Sequence, residues 1–164
     1  MEIERKFLMS GWPIHLTPAS KLYAAHQGYL STSPEVRIRM FQPERPDHPL
    51  TMLTIKGPGQ LSREEVNIPI DIKKFVTLQK LVPGTFISRE YQEFTDGTYL
   101  YSCSHVDGQE PNGFWYCEVE FESEEAANAF VPPAWLEEEV TYKDEYKMKN
   151  YWLRNHAFKQ EGSK

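Results

Sequence analysis

The stretch Glu2-Ile3-Glu4-Arg5-Lys6-Phe7-Leu8-Met9 alternates strictly: Ile3, Arg5, Phe7 and Met9 fall on one side of an extended chain, Glu2, Glu4, Lys6 and Leu8 on the other. That period predicts a strand with both signs of charge on one face. The same pattern returns along the chain. Val36-Arg37-Ile38-Arg39-Met40 projects Arg37 and Arg39 together, and Thr54-Ile55-Lys56 sets Lys56 opposite Ile55. Arg63, Glu65 and Asn67 share a face turned away from Val66 and Ile68, and Tyr116-Cys117-Glu118-Val119-Glu120-Phe121 sets Glu118 beside Glu120.

An open sheet would turn such faces to water. A closed barrel offers the other arrangement, with apolar side chains outward against helices and loops and charged side chains lining a wet bore. Five strands with one pattern favour the barrel. Buried cations without partners cost several kcal/mol each, so a bore lined by Lys6, Arg37, Arg39, Lys56 and Arg63 needs counter-charge, which a polyphosphate would supply. Glu2, Glu4, Glu118 and Glu120 offer the oxygen donors that suit Mg²⁺ or Mn²⁺.

Further strands are predicted near 22–30, 35–41, 50–56, 63–70, 85–94, 98–106 and 113–121, with a short extended stretch near 137–142. Turn residues separate them, among them Ser31 to Pro34, Gln42 to Pro49, Gly57-Pro58-Gly59, Asp96-Gly97 and Asp107-Gly108. Helical spacing appears over 71–81, with Phe75, Leu78 and Leu81 on one side, and over 124–131, where Ser123 suits the N-cap. A third helix is expected over 147–158, packing through Met148, Tyr151 and Trp152. The fold class that follows is α+β: a single-domain closed antiparallel β-barrel of about eight strands with peripheral helices, over residues 1–159, followed by a polar tail, 160–164.

Composition narrows the partners. A chain of 164 residues with 40% hydrophobic and 26% charged residues is sized for one globular domain. A net charge of -6 argues against a surface adapted to nucleic acid or anionic membrane, so an anionic ligand must meet local positive charge. Two cysteines, Cys103 and Cys117, make neither a disulfide framework nor a zinc site. The N-terminal residues lack the apolar core of a signal peptide and no apolar run could span a bilayer, so a cytoplasmic location is expected, with monomer and homodimer both left open. The four tryptophans sit on predicted outer faces or in loops, and no nucleobase pocket is assigned.

With these residues in place, the chain resembles the CYTH domain, or triphosphate tunnel metalloenzyme family. Glu2-Ile3-Glu4-Arg5-Lys6 matches its Glu-x-Glu-x-Lys signature, and the likeness runs on through Gln27-Gly28-Tyr29-Leu30, Val36 to Arg39, Leu53 to Gly57, Arg63-Glu64-Glu65, Glu118 to Phe121 and Glu139-Val140-Thr141. The resemblance implies an eight-stranded tunnel acting on a small triphosphate: tripolyphosphate, thiamine triphosphate or a nucleoside triphosphate. Lys6, Arg37, Arg39, Lys56 and Arg63 would contact phosphate, while Glu2, Glu4, Glu118 and Glu120 would hold metal or position water. Lys6, Tyr29, Glu118 and Glu120 are the expected catalytic group, and Glu65 and Glu139 are further candidates. A metal-dependent triphosphatase is the leading expectation. A class IV-type adenylate cyclase and a binding module with little turnover are the alternatives.

The second half departs from the family. Where relatives carry Lys-x-Arg-Tyr, this chain has Phe86-Ile87-Ser88-Arg89-Glu90-Tyr91, leaving Arg89 as the only cation, either for phosphate or for a neighbouring acid. Upstream of Glu118 the family's Asp has no clean counterpart among Ser104, His105 and Asp107, of which Asp107 reads as a turn residue and His105 as a strand residue. Tyr29 either reaches into the bore or packs beside it.

Overall fold

The computed structural model describes residues 1–43 and 50–159. The alternating stretches form the strands β1 (Glu2–Leu8), β2 (Thr17–Pro18), β3 (Tyr23–Thr32), β4 (Glu35–Gln42), β5 (Thr51–Lys56), β6 (Ser62–Arg63), β7 (Glu65–Pro69), β8 (Ile87–Thr95), β9 (Leu100–Val106) and β10 (Phe114–Glu120). All pair antiparallel in one sheet, in the order β6-β1-β10-β9-β8-β3-β4-β5-β7, with β2 attached to β8. The two ends of that order are one stretch of chain broken at Glu64: Arg63 faces Glu2 of β1, and Glu65 faces Lys56 of β5. Counted as one strand, β6 and β7 close the circuit of the expected eight-stranded barrel. The strand foreseen over 63–70 is thus split so that its halves serve different neighbours.

The stretch near 137–142 runs against the remaining edge of β1. Val140 N–H donates to the Lys6 carbonyl, Leu8 N–H to the Glu138 carbonyl and Glu137 N–H to the Leu8 carbonyl, so the β1 edge is covered. Between β8 and β9 the Asp96-Gly97 turn works as its sequence suggests. Asp96 accepts hydrogen bonds from the Thr98 and Tyr99 amides, and Gly97 takes φ 94, which glycine adopts without steric cost.

Apolar side chains lie mainly outside the barrel wall. Helix α1 (Ile72–Gln79), capped by Asp71 through the Lys74 amide, buries Phe75 and half-buries Leu78. Leu81 lies past its end and is 65% exposed, contrary to the packing role its spacing suggested. Helix α2 (Glu124–Ala129) begins at Ser123, whose hydroxyl accepts from the Ala126 amide. It stands over a cluster of Phe7, Phe94, Tyr101, Val119, Phe130 and Leu136, each burial worth roughly 1.5–3 kcal/mol for an aliphatic or phenyl side chain. Helix α3 (Met148–Asn155) buries Met148, Tyr151 and Trp152, as its spacing predicts.

Helix α3 also closes one end of the bore. The inward positions there are Tyr29, Ile87 and Val106, all fully buried, and the Tyr29 ring lies 5.6 Å from that of Trp152. Among the described residues no helix is long and apolar enough to cross a membrane. The turn expected over 42–49 lies largely outside the described residues, as does the 160–164 tail.

Candidate active site

Strand register carries the charges inward. Lys6 sits opposite Glu118, Glu4 opposite Glu120, Tyr29 opposite Arg37, Gln27 opposite Arg39, and Glu35 opposite Lys56. Glu2, Glu4, Lys6, Arg37, Arg39, Lys56, Arg63, Arg89, Glu118 and Glu120 all line one cavity of about 220 Å³. The further candidate Glu65 lines it too, whereas Tyr29 and Glu139 do not.

Tyr29 is set behind Arg37. Its phenol takes a hydrogen bond from Gln27 Nε2 at 3.2 Å, and burial, opposed by Arg37, pushes its ionisation up to about 12. It stays protonated at neutral pH and stands beside Arg37, off the cavity lining. Arg89, whose direction alternation alone could not settle, points inward and is 7% exposed. Two positions earlier on the same face, Ile87 packs into the apolar end of the bore.

On the acidic wall the carboxylates crowd one another. Oxygen atoms of Glu2, Glu4 and Glu120 lie within 4.8 Å of one another. Burial pushes Glu2 up to about 7, with a hydrogen bond to Glu65 adding to it, and burial and Glu118 hold Glu4 well above the ordinary carboxylate range. Glu120 is raised by burial and Glu118. Against burial, Glu65 is held down to about 2 by its hydrogen bond with Glu2 and by Lys56, and Glu118 is held down to about 2 by Glu4 and Lys6. In each pair, Glu2 with Glu65 and Glu4 with Glu118, one carboxyl is thus raised and its neighbour lowered, so the two resist ionising together. An all-oxygen cluster whose carboxyls retain protons under mutual repulsion fits a hard divalent cation, which would displace those protons.

The basic wall is short of anions. Lys56 Nζ reaches Glu2 Oε1 at 2.9 Å, and Arg63 lies 3.3 Å from Glu35 and 3.8 Å from Glu2. Arg37, Arg39 and Arg89 are different: the Nε of each is buried with no hydrogen-bond partner among the described residues. Among the described residues Arg39 makes long contacts, to Thr54 Oγ1 at 3.5 Å and Met52 Sδ at 3.8 Å, and lies over the Phe41 ring. Burial and the adjacent Arg37 and Arg89 pull it down to about 9. Orphaned guanidinium donors around one cavity mark the place of an anion with several acceptor oxygens.

Other expected residues lie elsewhere. Glu139 faces away from the bore, bound by Arg5 at 2.7 and 2.8 Å and by the Thr141 hydroxyl. His105 stacks on Trp115 outside the wall, and Asp107 pairs with His156 at 2.7 Å. The inward positions of β9 are Ser102, Ser104 and Val106, so this strand adds no carboxylate to the cavity.

Sequence reasoning missed Glu35, Tyr116 and Lys147, all of which line the cavity. Glu35 and Tyr116 share parity with Arg37 and Glu118 and could have been found by extending the alternation one step. Lys147 lies outside any strand: it enters from the segment before α3 and donates to the Gly59 carbonyl at 3.0 Å.

No family model matches the chain. The chain is 37% identical over 156 residues to the inorganic triphosphatase of Nitrosomonas europaea, covering 90% of this chain and 94% of that one. A crystal structure named as an inorganic triphosphatase superposes with a TM-score of 0.62 at 32% identity, covering 93% of this chain and 95% of the other. A Pyrococcus horikoshii protein shares the fold at a TM-score of 0.57 and 14% identity, over 93% and 96% of the two chains.

Proposed function

Because the chain belongs to the CYTH, or triphosphate tunnel, family, we propose that it hydrolyses inorganic tripolyphosphate to pyrophosphate and orthophosphate, using Mg²⁺ or Mn²⁺. The observation that carries this reading is the pairing, in one cavity, of three arginines whose Nε donors are buried without a partner among the described residues with a carboxylate trio. One wall calls for an anion and the other for a cation, and a metal-bound triphosphate is both.

The cavity favours a compact substrate. Its volume of about 220 Å³ falls below the roughly 300–1,000 Å³ of drug-sized sites, and Tyr29, Ile87 and Val106 close it behind the arginines. A phosphate chain fits that space better than a nucleoside, which speaks against the cyclase reading.

Arg37, Arg39 and Arg89 would hold oxygens at the closed end, and Lys6, Lys56, Arg63 and Lys147 those nearer the acidic wall. Glu2, Glu4 and Glu120 would hold the metal, which when bound polarises a phosphoryl oxygen and helps orient water. Glu118, ionised and facing Lys6, is too weak a base to take a proton at rest, so its task is to orient the attacking water and keep Lys6 placed. Water attacks a terminal phosphorus, the phosphoanhydride bond breaks, and pyrophosphate leaves. The loose transition state of such transfers is stabilised mainly by fixed positive charge. We place this chemistry in the cytoplasm, where free thiols such as the buried Cys103 and Cys117 are ordinary.

Strand β8 favours a second reading, since Arg89 is the single cation between Phe86 and Tyr91 where the family's Lys-x-Arg-Tyr has two: a module that binds triphosphate but turns it over slowly. Phosphate release from tripolyphosphate, thiamine triphosphate and ATP, each with Mg²⁺, with Mn²⁺ and with chelator, separates the readings. Rapid metal-dependent release from tripolyphosphate supports hydrolysis. Tight binding without release supports the module, and cyclic AMP formed from ATP would sink both.

A further inference from the structure

Tyr116 stands between two cations that reach the bore from opposite directions. Lys6 comes from β1, next to β10, and Arg89 from β8, two strands away on the other side of Tyr116. The Tyr116 hydroxyl accepts a hydrogen bond from Arg89 Nη1 at 2.8 Å, and the Lys6 ammonium lies 4.1 Å from the centre of the same ring. The residue is 1% exposed and packs against Phe114, so it has little freedom to follow either partner.

The other contacts of these cations leave them underdetermined. Among the described residues Arg89 has one further bond, a long one to Ser104 Oγ at 3.5 Å, a ring contact with Tyr91, and an Nε without a partner. Lys6 donates to the Tyr146 carbonyl at 2.7 Å, which fixes one of its three donor directions. A neutral phenol suits this place better than a carboxylate. It holds Arg89 through one bond and Lys6 through its ring face, without neutralising charge that an anion must meet.

We propose that Tyr116 is a positioning residue, binding no substrate itself, that fixes Lys6 and Arg89 in one geometry and so sets the affinity of the cavity for triphosphate. Arg89 is the sole cation that β8 sends into the bore, so its orientation counts for more. The inference rests on the triphosphate-binding reading above.

The test uses Tyr116→Phe, which keeps the ring and removes the hydroxyl, and Arg89→Lys, alone and combined. Calorimetric titration of the metal-free protein with tripolyphosphate should show affinity falling about tenfold in Tyr116→Phe, the loss expected for one charge-assisted hydrogen bond. Turnover should lose in KM rather than kcat. In an Arg89→Lys background the Tyr116→Phe change should cost less than about twofold, because the bond it removes is already gone. Equal losses in both backgrounds, or an unchanged affinity in Tyr116→Phe, would overturn the proposal. The Arg89 Nε–Hε resonance gives a ligand-free readout: slow side-chain exchange in the wild type that becomes fast in Tyr116→Phe supports positioning, and no change refutes it. Should the wild type bind no tripolyphosphate, that failure belongs to the proposed function, and the arginine resonance alone decides the role of Tyr116.

Discussion

Lys56 Nζ stands 2.9 Å from Glu2 Oε1, so residues 54 positions apart join the basic wall of the bore to its acidic wall. Lys56 also opposes the charges of Glu4, Glu65 and Glu118. Replacing Lys56 by alanine should lower kcat/KM for tripolyphosphate about 100-fold, the scale of losing one fixed transition-state charge. Steady-state phosphate release checks this, and a value within threefold of wild type would reject the role given to Lys56.

The carboxylate trio predicts opposite effects with and without metal. Burial and the charge of Glu118 disfavour an ionised Glu4, so Glu4→Gln should raise the melting temperature of the metal-free protein, by about 2–4 °C per kcal/mol relieved. The same change should abolish the stabilisation that millimolar Mg²⁺ or Mn²⁺ confers on the wild type. A variant that melts lower without metal, yet still gains from it, would show that Glu4 is neither strained nor a ligand.

Arg39 keeps its charge at neutral pH against burial and the nearby Arg37 and Arg89, which lower its ionisation. An anion among the three guanidiniums relieves that repulsion, so Arg39→Met should melt higher without ligand and bind tripolyphosphate about tenfold more weakly. Thermal melts and calorimetric titration of the metal-free protein check both. A variant that melts lower and binds as the wild type does would reject the role given to Arg39.

Asp107 fastens α3 to the barrel from outside the bore. Its Oδ2 accepts from the Tyr151 phenol at 2.6 Å and pairs with His156 Nε2 at 2.7 Å, while Oδ1 accepts from the Ser88 amide at 2.9 Å. Against burial, these bonds from His156, Tyr151 and Ser88 hold its carboxyl below the ordinary value of 3.8. A depressed carboxylate contributes stability that is complete above the unfolded value and is lost as pH falls through the folded one. Asp107→Asn should cost about 1–3 kcal/mol at neutral pH and remove that part of the acid sensitivity below pH 3.8. Denaturant titrations at neutral and acid pH measure both. Because α3 carries Met148 to the cavity, turnover should fall as well.

The sequence by itself determined the barrel and most of its lining. Strand parity is a local property, so Glu2, Glu4 and Lys6 had to share a face, as did Arg37 with Arg39 and Glu118 with Glu120. Charges repeated on one face of successive strands then implied a bore. What parity left open needed distant chain. Whether Arg89 served the cavity or a surface acid depended on which face of β8 the closed barrel turned inward. The break at Glu64 exists because β1 and β5, brought together only by closure, each claim half of one strand. Tyr29 has the same parity as its inward neighbours but sits at the level where Trp152 of α3 fills the bore, so it backs Arg37 and does not meet the cavity. Lys147 and the orphaned arginine donors were invisible for the same reason. Alternation says which way a side chain points, while the packed fold decides what stands opposite it and whether a counter-charge is there.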